Sequence, residues 1–396
     1  MAQITVSPNT YAGEALQEVI AQTVLRGETI ENNYVTVHTN INKRMIVPTL
    51  SKSLTIADSV STFTANAHGT AIGEKYLDPK AFMINEEYDA SNLNATWFAS
   101  QQPNGRNGDF ILPATIEDAI VAQNGQLNGA FIDASIWHGS VDAATLAGVT
   151  NSASVGVVTG LFAKAEASSF VNKLAPQVNV DKLVISGISK AADGVFTVLS
   201  TANLSDGDII TIVGAAGGDF TAVNGEYAVT IASSTTFTVG LDTSAYSGTY
   251  TASSASACFV NASNAIQVLT RVYRGINKIM KKDPTFMLFA DSLFADAYRF
   301  AQATVATGSG SYFIGSKEMD FLGRRLVELP YIKSNFLMGA KMSDLHFGTA
   351  LDAEWNSAKI INLHDTTLDY VTRYRVDYAF DVQITNDKDI LVYRPA

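Results

Sequence analysis

The residues of this chain that could do chemistry are few and scattered. Its five histidines, His38, His68, His138, His346 and His364, come no closer than 18 residues to one another, so no pair has the short spacing of a metal-binding helix or loop. There is no Gly-x-Ser-x-Gly elbow, no His-Glu-x-x-His, no Cys-x-x-Cys, no Gly-Lys-Ser/Thr phosphate loop and no Gly-x-Gly-x-x-Gly after a strand. The single cysteine, Cys258, excludes an intrachain disulfide and a multi-cysteine metal site, and between Ala257 and Phe259 it reads as a small buried apolar residue. Gly214 to Gly218 is glycine-rich, but it lies between β runs with no helix to point at a phosphate, so it reads as a turn. Asp206-Gly207-Asp208 offers calcium two carboxylates without the further acids of a calcium loop, and reads as a hairpin turn. His364-Asp365 reads as a loop with an Asx turn, His68 as a polar loop residue, and His138 as a helix C-terminal residue. No catalytic, cofactor-binding or metal-ligating residue is predicted, no cofactor is implied, and an enzyme is not expected.

The elements around these residues fall into two kinds. Glu14 to Leu25 spaces Ala15, Leu16, Val19, Ile20, Thr23 and Val24 as a short amphipathic helix. Tyr34 to Leu50 and Tyr76 to Tyr88 read as β segments, joined by about 25 residues poor in large apolar side chains; a connection of that kind needs a neighbour to support it. Thr115-Ile-Glu-Asp118 opens a long helix in the manner of a capping box, with Ile116, Ile120, Leu127, Phe131 and Trp137 on one face, ending at His138-Gly139. Ser263-Asn264 starts a second helix that carries Ile266, Leu269, Val272, Ile276 and Met280 to a stop at Asp283-Pro284. Phe286 to Ala290 is a buried strand, followed by a helix through about Gln302 and a loop at Gly308 to Gly310. From Leu368 to Ile384 apolar and polar residues alternate, which means one long strand, and Asn386 to Asp389 turns it into a last strand, Ile390 to Tyr393.

Between these parts the chain changes character. From Gln177 to Asn261 it consists of short β-branched runs broken by Asp193-Gly194, Asn224-Gly225 and similar pairs that tolerate the positive φ of tight turns. The runs are Lys182 to Ile188, Val195 to Leu199, Ile209 to Val213, Tyr227 to Ile231, Phe237 to Leu241 and Tyr246 to Ala252. The segment holds two lysines, Lys182 and Lys190, against seven acids, and reads as a small antiparallel sandwich or barrel inserted in a host.

Composition narrows the function classes. Charged residues are 16% of the 396, below the roughly 25% of an ordinary soluble protein, which hints that partners cover much of the surface. A net charge of −11 argues against an electrostatic grip on DNA, RNA or anionic lipid. The basic residues Arg271, Arg274, Lys278, Lys281 and Lys282 fall at helical spacing and read as a solvated helix face. The first residues lack a basic and then apolar leader, and no run approaches 18 apolar residues, so the expectation is a reducing, soluble compartment without a membrane.

The order of elements resembles the major capsid protein of tailed bacteriophages, the Hong Kong 97 type. The residues that carry the resemblance are the helix, strand and helix of Ile266 to Gln302, followed by Leu322-Gly323-Arg-Arg-Leu-Val327-Glu-Leu-Pro330 and Phe336-Leu-Met-Gly339. Gly207 to Ile212, Asn224 to Tyr227 and Thr236 to Val239 are also similar to small β domains of phage virion proteins. The resemblance implies an α+β capsid fold with an all-β, immunoglobulin-like or small-barrel insertion. It divides the chain into an N-terminal arm (1–33), an extended loop with supporting strands (34–90), a peripheral domain with a spine helix (91–139 and 340–396), an axial domain (140–176 and 262–339) and the insertion (177–261). It implies many copies in hexamers and pentamers forming an icosahedral shell in the virion, assembled in the host bacterial cytoplasm. The shell would enclose double-stranded DNA without sequence-specific binding, and its partners would be a separate scaffolding protein, a portal and auxiliary capsid proteins. Lys52 and Lys75 have no identifiable asparagine partner for the cross-link some members form. The alternative is a phage tail-associated or cell-surface protein whose β insertion binds carbohydrate.

Overall fold

The computed structural model describes residues 27–41, 43–52, 70–89, 114–143, 157–305, 319–350, 357–362 and 371–395. The helix expected over Glu14 to Leu25, His68, the loop at Gly308 to Gly310 and His364-Asp365 lie outside the described residues.

In chain order the elements are α1 (Glu28–Glu31), β1 (Thr36–His38), β2 (Met45–Lys52), β3 (Thr70–Leu77), β4 (Lys80–Asp89), α2 (Ala114–Trp137), α3 (Ser140–Ala143), α4 (Leu161–Ala167), β5 (Asn172–Leu174), β6 (Lys182–Ile188), β7 (Val195–Val198) and β8 (Ile209–Val213). There follow β9 (Gly225–Ala228), β10 (Thr230–Ser233), β11 (Thr236–Thr238), β12 (Ser256–Cys258), α5 (Ala265–Gly275), β13 (Phe286–Ala290), α6 (Ser292–Val305), β14 (Met319–Phe321), β15 (Arg324–Glu328) and β16 (Leu337–Lys341). The last are β17 (Leu345–Thr349), β18 (Ser357–Asn362), β19 (Val371–Ile384) and β20 (Leu391–Tyr393). The protein is mixed α+β and forms two compact units, Met1–Lys164 with Ser343–Thr385, and Ala165–Met342 with Asn386–Ala396.

The first unit is organised by β19. Its alternation puts Tyr374, Val376, Tyr378, Phe380, Val382 and Ile384 inside, while Arg373 and Arg375 face out. Asp381 breaks the rule: it is buried, and it accepts the backbone N–H of Asp78 at 2.9 Å and pairs with Lys164 at 3.4 Å. Strand β4 pairs with β19 from Lys80↔Phe380 to Asp89↔Val371, while β17 and β18 pair with successive stretches of it. Helix α2 is joined to this sheet through aromatics. Phe82 of β4 meets Phe131 of α2 edge-on at 5.8 Å and stacks on Phe380 at 4.8 Å, and Tyr378 donates its hydroxyl hydrogen bond to Asn128 at 2.5 Å. Such ring pairs add about 0.5–1.5 kcal/mol each beyond their burial. The helix stops where expected. Gly139 turns the chain at φ 106, and a Cβ on Gly160 would stand 2.4 Å from the Gly139 nitrogen, so two glycines are needed where these segments touch. Strands β2 and β3 form a separate two-stranded sheet of eight register pairs, from Met45↔Leu77 to Lys52↔Thr70. The second expected β segment therefore divides at Asp78-Pro79: its first part completes the hairpin, and its second joins the sheet of β19.

The second unit contains two sheets with separate cores. The six-stranded sheet has the order β14-β15-β13-β16-β20-β5. All five residues of β13 are buried, flanked by parallel β15 and antiparallel β16. A parallel neighbour requires a crossover, which α6 supplies. Helix α5 presents Ala265, Val268, Leu269 and Val272 to the same core, each fully buried Val or Leu being worth roughly 1.5–3 kcal/mol. This helix is shorter than its periodicity suggests. It ends at Gly275, where a Cβ would come within 2.9 Å of Leu391, and Ile276 is extended; Met280–Lys282 is a separate single turn.

The insertion has seven strands in the hydrogen-bonded order β10-β11-β7-β6-β12-β8-β9, with every neighbouring pair antiparallel. Its two end strands, β9 and β10, are consecutive in sequence and joined by Val229 alone, whose N–H and carbonyl bond to Asp208 and Gly207. One bent strand therefore serves both ends, and the sheet curls round Ile185, Phe196, Ile210, Ile212, Phe220 and Phe237. The strands at 182–188 and 209–213 match the sequence reading, but Tyr246 to Ala252 is a turn-rich loop and the strand is instead Ser256–Cys258. The aromatic run misleads because Tyr246 and Tyr250 pack edge-on against Phe220 from a loop, and the Tyr250 hydroxyl bonds the Ile185 carbonyl at 2.8 Å.

Candidate functional site

The β2–β3 hairpin carries the most conspicuous surface. In a paired strand alternate residues face opposite ways, so Ile46, opposite Tyr76, and Ile72 share one face. They are 50%, 41% and 75% exposed, respectively. At the base of the hairpin the other face is spent on a small core of Ile41, Val47 and Leu77. One side thus anchors the hairpin to its own chain and the other leaves apolar side chains in water.

Four polar clusters fix elements in place. In the first unit, Asp133 of α2 accepts the N–H of Thr29 at 3.1 Å, while the Trp137 indole donates to the Thr29 hydroxyl at 3.0 Å. Burial pushes the Asp133 carboxyl up to about 6. The start of the described chain is thereby tied to the end of the long helix. In the same unit His38 Nε2 and His346 Nδ1 lie 2.8 Å apart with the rings stacked, although their sequence spacing gave no reason to expect it. Burial and the neighbouring His38 hold His346 down to about 4.

In the second unit Asp181 is fully buried and accepts from the Tyr393 hydroxyl at 2.8 Å, the Arg271 guanidinium at 2.5 Å and the Gln177 N–H at 2.5 Å. Burial, then the Asp181 charge, raises the Tyr393 hydroxyl well above its ordinary value. Arg271 is therefore one arm of a clamp and not part of a solvated face, and Lys281 lies over the Tyr273 ring at 5.0 Å. Asparagines complete the junction of insertion and host. Asn335, in the left-handed region at φ 66, accepts the Val260 N–H at 2.7 Å and donates to Thr211 at 3.0 Å; Asn264 donates to the Val180 and Phe259 carbonyls. Asn264 starts α5, but its side chain serves this junction and forms no cap.

The other residues singled out in the sequence are occupied structurally. Asp206 accepts the Ile231 N–H at 2.6 Å, and Asp208 accepts the Ser205 N–H at 2.9 Å and the Asn261 amide at 2.6 Å, so both carboxylates close turns. Gly217 sits at φ 107 with its α-carbon so near Thr249 that a Cβ would be 2.1 Å from that carbonyl, which explains the glycine run by a close chain crossing. His138 stacks on Phe162 at 4.9 Å, and Cys258 is buried. Among the described residues no group of three or more His, Cys, Asp or Glu side chains converges. No described helix is long and apolar enough to cross a membrane.

No protein-family model matches the chain, and no curated protein does. Solved structures do. The chain is similar to the satellite phage P4 procapsid including size determination (Sid) protein, at 12% identity over 99% of this chain and 92% of that one, with a TM-score of 0.45. It is similar to the capsid of the native GTA particle at 10% identity over 100% and 96%, TM-score 0.45, and to a structure of Mycobacterium phage Adephagia at 10% identity over 93% and 90%, TM-score 0.46. Phage and capsid structures are thus what the chain resembles, at a level where function must be argued from the chain's own residues.

Proposed function

We propose that this chain is a major capsid protein that self-assembles into the icosahedral shell of a tailed phage. The observation that carries the reading is the β2–β3 hairpin, a separate two-stranded sheet with Ile46, Ile72 and Tyr76 in water on one face. An isolated hairpin is marginal by itself, and such a face is stable in a protein whose neighbours cover it. In the resemblance drawn from the sequence, this is the extended loop lying on the next subunit, with α2 as the spine helix and β19 as the long closing strand. On that reading residues 91–139 and 340–396 make the peripheral domain, 140–176 and 262–339 the axial domain, and the insertion faces outward, away from packed DNA. The net charge of −11 suits a wall that contains nucleic acid without adhering to it. Hexamers, pentamers, a separate scaffolding protein, a portal and auxiliary capsid proteins follow as partners.

The test is direct. Purified protein with its scaffolding protein, viewed by electron microscopy and light scattering, should give shells or capsomer-sized rings. A stable monomer under those conditions overturns the reading.

A further inference from the structure

His38 and His346 meet across β1 and β17, which pair in parallel as Thr36↔His346 and His38↔Gly348. Thr385 Oγ1 lies 3.2 Å from the Asp344 carbonyl and 3.2 Å from His346 Nε2. We assign its one hydroxyl hydrogen to the carbonyl, which puts the ring proton of His346 on Nε2 and leaves Nδ1 as the acceptor, 2.8 Å from His38 Nε2. An imidazole whose far nitrogen is held by a hydroxyl and whose near nitrogen offers a lone pair is arranged as metal-ligating histidines are.

We propose that this pair is a two-imidazole site for a divalent transition-metal ion of borderline softness, Cu²⁺, Ni²⁺ or Zn²⁺, with His38 Nε2 and His346 Nδ1 as ligands and water completing the shell. Two nitrogens bound side by side at about 2.0–2.1 Å from one metal stand roughly 3 Å apart. The existing separation of 2.8 Å is close to that, and the two rings must tilt so that their lone pairs meet at the metal instead of lying along the line between the nitrogens. Binding requires His38 to move its ring proton from Nε2 to Nδ1, which frees the second lone pair. Both rings stay neutral, no bond to carbon changes and nothing is oxidised. His346 keeps its hydrogen bond to Thr385 throughout. Two protein ligands make an exchangeable site and not a closed structural cage. Because β17 is the strand partner of the three-residue β1, a bridging metal would also fasten that strand to its sheet.

The test uses the full-length chain, stripped with chelator and titrated with Cu²⁺. Calorimetry should give one site per chain, electron paramagnetic resonance should show coupling to two imidazole nitrogens, and amide exchange at residues 36–38 should slow at least tenfold. H38Q should weaken binding at least tenfold, while H68Q leaves it unchanged. Since His346 is a buried residue of β17 and its substitution perturbs the sheet, the half-buried His38 is the deciding variant, and the exchange measurement needs no substitution at all. Unchanged affinity in H38Q, coupling to a single nitrogen, or unaltered exchange at residues 36–38 would each overturn the site. These outcomes are independent of shell formation.

Discussion

Asp181 and Asp291 are both buried carboxylates of the second unit, and they meet burial differently. Asp181 has partners for both oxygens: Arg271 and Gln177 on one, Arg271 and Tyr393 on the other. Asp291 caps α6 with one oxygen, which accepts from Leu293 at 3.1 Å and Phe294 at 3.4 Å, while Oδ1 is buried and the Asn335 backbone adds only a weaker contribution that does not offset the burial. Burial accordingly pushes Asp291 up to about 7. Its folded pKa lies above the unfolded value, so its contribution to stability is complete below about pH 4 and is lost as pH rises through 7. The unassembled subunit should therefore lose more stability between pH 5.5 and 8 than D291N does, by about 1–3 kcal/mol in urea unfolding. Equal slopes would show that the carboxyl is solvated. At this scale the sequence was legible where neighbours decide, as with buried Cys258 and the turn-closing acids at 206–208. The Asp181 clamp was not, because its partners Arg271 and Tyr393 lie 90 and 212 residues away.

Elements were legible wherever a pattern was long or pure. The alternation ending at Ile384 and the apolar run at Phe286 to Ala290 gave strands at those places. Aromatic content failed at Tyr246 to Ala252, since packing from a loop leaves the same composition as packing from a strand. The insertion illustrates how an element pair can be isolated from its surroundings. Its inbound strand β6 and outbound strand β12 are antiparallel neighbours, with Lys182 opposite Cys258 and the Phe259 N–H bonded to the Asp181 carbonyl at 3.0 Å. It also has a core distinct from that of the six-stranded sheet. Removing residues 178–260 and bridging the ends with a short Gly-Ser linker is thus expected to leave a folded host. Cooperative thermal unfolding of the shortened chain checks this, and an insoluble product would mean the two cores fold only together.

At the scale of the whole molecule, the prediction concerns the exposed hairpin. I72E places a charge on an already exposed position, so the subunit should keep its helix and strand content and its unfolding free energy within about 0.5 kcal/mol. Assembly should nonetheless fall at least tenfold in light scattering, because a charge desolvated at an interface is costly. Undiminished assembly would remove the hairpin from the contact surface. The sequence reading placed a connection lacking a core of its own between Leu50 and Tyr76; its described ends, Ser51-Lys52 and Thr70 to Lys75, are strand instead, since register is set by cross-strand partners that a sequence does not display. Strand β19 leads elsewhere. Fourteen residues at about 3.4 Å each make a rod nearly 48 Å long, bonded along its length to β4, β17 and β18. A pull along that rod shears many backbone hydrogen bonds at once, whereas a pull across it opens them one after another. The first unit is therefore mechanically anisotropic, stiff along β19 and weak at right angles to it, and a sheet of such units would bear tension best where their long strands lie along the load.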